Sequence, residues 1–157
     1  MARILLSALL MVALAPSALL AHSHKKKTLE IVHPWTPEVG EGVADVSVYM
    51  TIKNGSGKTE RLIRAEGPLA EKIDLVDLRN SAGMQPSSPV AGLEIPPHGK
   101  LELSSSGPYV LLHQFKRRLN AYDTFNLILV FEKAGKVPIE VTVEEVETGQ
   151  RNQHHQH

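Results

Sequence analysis

The chain has 157 residues with 17 basic and 17 acidic side chains, so its formal net charge is zero. That balance offers no basic face of the kind that recognises nucleic acid through phosphate. It contains no cysteine, so disulfides, a thiol nucleophile and a cysteine-linked lipid anchor are all excluded as expectations.

Met1-Ala2-Arg3 leads into an apolar run, Ile4 to Ala21, broken only by Ser7, Pro16 and Ser17. One early positive charge, a short apolar core, a helix-breaking proline and small residues near Ala21 describe a secretory signal peptide. Cleavage is expected after Ala21, which would place the mature protein in the periplasm. An uncleaved membrane anchor is the competing reading. Pro16 and the short core argue against it, because a span needs about 20 apolar residues. The expected organisation is a signal peptide at 1–21, a flexible leader at 22–27, one β-sandwich domain at 28–146 and a flexible histidine-rich tail at 147–157. A monomer is expected.

Strand-like segments then follow at short intervals. Thr28 to His33 alternates, and Ala44 to Ile52 is a longer run rich in β-branched residues. Lys53-Asn54-Gly55-Ser56-Gly57-Lys58 reads as a hairpin turn, since Asn-Gly readily supplies positive φ. Arg61–Ala65 and Lys72–Leu78 are the next strands, with a turn near Pro68. Asn80 to Pro89 is a polar loop containing Met84. Leu93–Ile95 and Lys100–Leu103 are short strands around Pro96-Pro97-His98-Gly99. Gly107-Pro108 opens a strand on which Tyr109, Leu111 and His113 share one face and Val110 and Leu112 the other. After a turn at Asn120–Asp123, the apolar run Thr124–Phe131 should be buried on both faces, and Val137–Val146 closes the domain. No helical period of useful length and no internal repeat occur. The pattern is that of an all-β sandwich or barrel of about eight or nine strands.

Several segments together resemble the PCu(A)C periplasmic copper chaperone family. They are His33-Pro34-Trp35, Val48-Tyr49-Met50-Thr51-Ile52-Lys53-Asn54, Pro89-Val90 with Gly92-Leu93-Glu94-Ile95-Pro96, and Phe131-Glu132-Lys133-Ala134-Gly135. The resemblance spans roughly His33 to Val146. It implies a cupredoxin-like or immunoglobulin-like β-sandwich that handles copper and exchanges it with another exported protein. The family's ligand motif is a histidine, ten residues, a methionine, twenty-one residues and then His-x-Met. An accessory methionine often lies two residues after the first histidine.

Aligned without gaps, the ligand positions fall on Val76, Leu78, Ser87, Tyr109 and Leu111. None supplies an imidazole or thioether, the donors that hold Cu(I). The resemblance therefore implies the fold without its Cu(I) site. A displaced pair, Met84 and His113, is the weaker substitute; His33 and His98 read as surface or turn residues.

Five of the eight histidines lie near the mature ends: His22, His24, His154, His155 and His157. Cleavage after Ala21 would expose His22-Ser23-His24. Its free amine, two amides and third-residue imidazole form a four-nitrogen square suited to Cu(II) or Ni(II), with Cu(II) favoured. The tail histidines add imidazoles that bind Cu(II), Zn(II) or Ni(II) with little selectivity. Copper is thus the expected cofactor, as Cu(II) rather than Cu(I), and these five histidines are the candidate metal ligands. No phosphate loop, nucleophile elbow or paired carboxylates suggest an enzyme. The competing reading is a metal-free binding module that contacts a partner protein through its sandwich surface.

Overall fold

The structure, a computed structural model, describes residues 28–40, 43–80 and 88–145. The segments expected as signal peptide, leader and tail lie outside those residues. The described chain forms nine strands: β1 (Leu29–Pro37), β2 (Val46–Asn54), β3 (Glu60–Glu66), β4 (Lys72–Asp77), β5 (Leu93–Ile95), β6 (Lys100–Leu103), β7 (Pro108–His113), β8 (Thr124–Phe131) and β9 (Gly135–Glu144). A single 3-10 turn, Leu78–Asn80, is the only helical element among the described residues. The expected all-β architecture is the one observed.

The strands form one connected sheet in the order β4-β7-β2-β1-β9-β8-β3-β5, with β6 also paired to β2. Two strands let this sheet curl over itself. β2 pairs with β7 through Val46–Val48 and with β6 through Met50–Lys53. β1 runs antiparallel to β2 from Leu29 to Val32, passes a register shift, and then lies parallel to β9 from Trp35 to Pro37. His33 sits in that irregularity with φ of 52°. Such bulges bend a strand and increase its twist, and histidine enters the left-handed region more readily than a β-branched residue.

Alternation then fills the interior. On β2, Val46, Val48, Met50 and Ile52 point inward while Ser47, Tyr49 and Thr51 are half-buried. β7 repeats the pattern, with Val110 and Leu112 inside and Tyr109, Leu111 and His113 on the outer face. Leu62, Ile95, Phe125, Leu127, Leu129, Phe131, Val141 and Val143 complete the core. Each fully buried aliphatic or phenyl side chain contributes about 1.5–3 kcal/mol.

Two local expectations are corrected. The segment Lys53–Lys58 does not close a hairpin, because β2 pairs with β1, β6 and β7 while β3 pairs with β5 and β8. It is a crossover, and the described positive-φ residues are His33, His98, Gln114, Tyr122 and Gly135. Asn54 organises it through its side chain instead. Its Nδ2 donates to Lys58 O at 2.8 Å, Pro96 O at 3.1 Å and Ile95 O at 3.2 Å, and its Oδ1 accepts from Ser56. β8 is buried on both faces only at Leu129–Phe131; Thr124 and Asn126 are exposed, as on an antiparallel strand with one wet face.

Candidate functional site

β4 and β7 form a ladder that carries three of the aligned ligand positions, Val76, Tyr109 and Leu111. Val76 lies directly opposite Tyr109, Asp74 opposite Leu111, and Lys72 opposite His113. The gapless alignment therefore brings together the positions of the first histidine and of His-x-Met. Val76 is fully buried, yet it stands apart from the main sandwich core. Pro89 bridges to it, and Val90 N–H donates to Leu75 O at 2.8 Å. Leu78 opens the 3-10 turn. Ser87 and Met84 lie outside the described residues.

Aromatic rings occupy the neighbouring outer face. Tyr109 meets Tyr49 edge-on at 6.3 Å, Tyr49 meets Trp35 at 5.1 Å, and Trp35 stacks on His33 at 6.1 Å with 16° between planes. This row crosses β7, β2 and β1 with rings half-buried against one another.

His113 is engaged on both ring nitrogens. Nε2 is 3.0 Å from Asp74 Oδ2 and Nδ1 is 3.4 Å from Asp45 Oδ2. Lys72 Nζ also reaches Asp74, at 2.7 Å. Burial works to raise the Asp74 pKa, but the Lys72 and His113 hydrogen bonds and charges outweigh it and hold the carboxyl below its ordinary value. The two carboxylates occupy opposite sides of the imidazole, so one ion cannot take a nitrogen and both acids. Next along β4, Asp77 is 6% exposed and accepts from Arg79 Nε at 2.9 Å and Nη2 at 2.7 Å. The Arg79 bonds outweigh burial and lower the Asp77 pKa.

The remaining histidines are separated. His98 is exposed at a turn with φ of 51°, where its N–H donates to Ser56 O. His33 is exposed on β1, and its Nε2 contacts Glu144 Oε1 on β9. Sequence reading missed that contact and the Asp77–Arg79 clamp. Asp-x-Arg at a strand end was the available signal for the latter; nothing local signalled the former. His22, His24, His154, His155 and His157 lie outside the described residues. Among the described residues, no group of three or more histidines and acids is arranged to hold a metal.

The sandwich and its β4–β7 ladder are those of a PCuAC-type domain. Residues 29–143 match the family model described as "Putative lipoprotein LpqE-like", and the chain belongs to that PCuAC-type family. Among solved structures, the apo PCuAC domain from PmoF1 matches with 27% identity and a TM-score of 0.68, over 76% of this chain and 95% of that one. Apo-DR1885 from Deinococcus radiodurans matches with 27% identity and a TM-score of 0.62, over 96% of this chain and all of that one. The Cu(I) form of the same protein matches with 28% identity and a TM-score of 0.62, over 79% and 85%. No curated protein matches the chain.

Proposed function

We propose that this protein is an exported copper carrier or buffer of the copper-chaperone type, not an enzyme, that holds Cu(II) through histidines at its ends. Family membership and the likeness to the Cu(I) form of DR1885 support a copper role. The observation that carries the oxidation state is Val76 facing Tyr109 across β4 and β7. Where the resembled family places soft donors for Cu(I), these side chains supply an isopropyl group and a phenol. Copper handling must then use other donors, and imidazoles with deprotonated amides favour Cu(II). Export through cleavage after Ala21 is part of the same reading, because only that bond exposes His22-Ser23-His24 as a chelating terminus. The family description of a lipoprotein agrees with an exported protein.

The described residues nearest the two ends of the sequence lie at opposite ends of β1. Gly55 N–H donates to Thr28 O at 2.7 Å beside the leader, whereas Pro37 is paired with Glu144 beside the tail. Eight residue steps at about 3.3 Å separate Leu29 from Pro37, so the two roots lie roughly 26 Å apart.

Titration of the mature, untagged protein with Cu(II), repeated after removing His22-Ser23-His24 and residues 154–157, tests this reading. Tight binding that disappears with both deletions is expected. Cu(II) binding no tighter than free histidine in the intact protein would sink it. The metal-free alternative keeps one observation in its favour: the half-buried aromatic rib on the face where the family keeps metal. Copper-independent capture of a partner, lost on Tyr49→Ala, would favour that reading.

A further inference from the structure

We infer that Asn54-Gly55 is a deamidation site that the fold holds closed, so that a chain opening there is marked irreversibly. The inference holds whether or not the chain's ends carry copper. Asparagine is among the thermolabile residues, and a following glycine leaves its own nitrogen unshielded by any side chain. In the reaction Gly55 N attacks Asn54 Cγ, the Cγ–Nδ2 bond breaks, and ammonia leaves carrying the Gly55 proton. Water then opens the cyclic imide at either carbonyl, leaving aspartate or isoaspartate.

In the fold both reacting groups are engaged. Asn54 is 2% exposed. Its Nδ2 donates to the carbonyls of Lys58, Pro96 and Ile95 at 2.8, 3.1 and 3.2 Å, which fixes the amide plane. Attack requires that plane to turn its face toward Gly55 N. Gly55 N–H is itself committed to Thr28 O at 2.7 Å, and Asn54 N–H to Gly99 O at 2.8 Å. Ser56 N–H and Oγ–H donate to Asn54 Oδ1 at 3.0 and 2.7 Å. Those two bonds would stabilise the oxyanion of the attack, so protection rests on Nδ2 and on Gly55.

The site opens from one side. Thr28 lies just before β1, and Leu29 is paired with Asn54 across β1 and β2. An open cleft of about 750 Å³ lined by Thr28, Asn54, Gly55 and Gly99 reaches the same point. Fraying of the first β1 residues frees Gly55 and admits water without unfolding the sandwich. Only the Nδ2 bonds then hold the amide.

The product does not fit the space it inherits. Aspartate puts an oxygen where Nδ2 donates, so a buried acceptor faces the acceptors of Lys58, Ile95 and Pro96. Isoaspartate also routes the main chain through the side-chain carbonyl. The added methylene displaces Gly55 N–H from Thr28 O. A deamidated chain thereby loses the contacts that tie the end of β2 to the crossover and to Pro96.

Incubating the full-length protein at mildly alkaline pH, in buffer and in urea, tests this, with peptide mass mapping and an isoaspartate assay following Asn54. Conversion in buffer should be at least about a hundredfold slower than in urea. Gly55→Ala should slow the reaction in urea, because a methyl group then shields the nitrogen. Its Cβ would lie 3.3 Å from Thr28 O, so the folded chain accommodates it with a small shift. Leu29, a core residue, anchors the start of β1. Leu29→Ala should speed conversion in buffer by roughly tenfold while circular dichroism stays that of a folded chain. After urea is removed, the converted fraction should show a lower urea midpoint than unconverted protein.

Equal rates in buffer and in urea overturn the inference, as does conversion in urea at other asparagines with Asn54 spared. An unchanged buffer rate in folded Leu29→Ala overturns the route through β1. A converted fraction with the midpoint of unconverted protein overturns the marking. If that fraction does not refold, Asn54→Asp made directly supplies the midpoint, and an unchanged value contradicts the marking in the same way.

Discussion

Glu60 is 5% exposed, and backbone amides satisfy its charge. Its carboxylate accepts from Arg61 N–H at 2.8 Å, Lys133 N–H at 3.0 Å and Ala134 N–H at 2.9 Å. The Glu132-Lys133-Ala134-Gly135 turn is thereby tied to the start of β3. Glu60→Ala would leave three amides without their acceptor, at a cost of about 3 kcal/mol read by urea unfolding. Glu60→Gln, which keeps one acceptor oxygen, should cost less. An unchanged midpoint for Glu60→Ala would contradict this assignment.

Asp77 gives a pH dependence with a definite sign. Its Arg79 hydrogen bonds lower the folded-state pKa, while the unfolded value is about 3.9. The contribution to stability is full well above that value and is lost as pH falls through the depressed folded one. Stability should therefore drop below about pH 4, and Asp77→Asn should flatten part of that slope. Asp74, also lowered, adds to the same acid limb. A slope identical in wild type and Asp77→Asn would remove Asp77 from the account.

The β4–β7 ladder fixes which side chains face one another. Register alone keeps Val76 against Tyr109 and Asp74 against Leu111. Inward Val110, Leu112 and Leu75 still hold the pair to the core. With Val76 facing Tyr109, the combined variant Val76→His, Ser87→Met, Tyr109→His and Leu111→Met should bind Cu(I) more tightly than the parent. Stability should fall as well, since a polar ring replaces the buried Val76 and the edge-on Tyr49–Tyr109 contact is lost. That contact is worth about 0.5–1.5 kcal/mol beyond its buried area. No Cu(I) gain in a folded variant would show that the ladder no longer has ligand geometry.

In the molecule as a whole, short-range pattern and long-range contact divided what was readable in sequence. Alternation in Val46–Asn54 and Pro108–His113, and the turn residues around them, revealed strands because β-structure has period two. The resemblance placed ligand positions on Val76, Tyr109 and Leu111, but that Val76 faces Tyr109 comes from the β4–β7 register. Sequence did not reveal the crossover at Lys53–Lys58, because Asn54 acts through contacts with Ile95 and Pro96, not through its own φ. The Asp45–His113–Asp74 arrangement, the Glu60 amide nest and the His33–Glu144 pair were equally hidden. Each joins distant residues that only the curled sheet brings together, and no local periodicity encodes such proximity. The terminal histidines were visible from composition, but the separation of their roots along β1 was not.

The proposal places copper on donors outside the β4–β7 ladder. Competition of the mature, untagged protein against a Cu(I) chelator, beside a parallel Cu(II) titration, tests that placement. Stoichiometric Cu(II) binding with Cu(I) surrendered to the chelator is the predicted result. Retention of one equivalent of Cu(I) by protein lacking both His22-Ser23-His24 and residues 154–157 would contradict it.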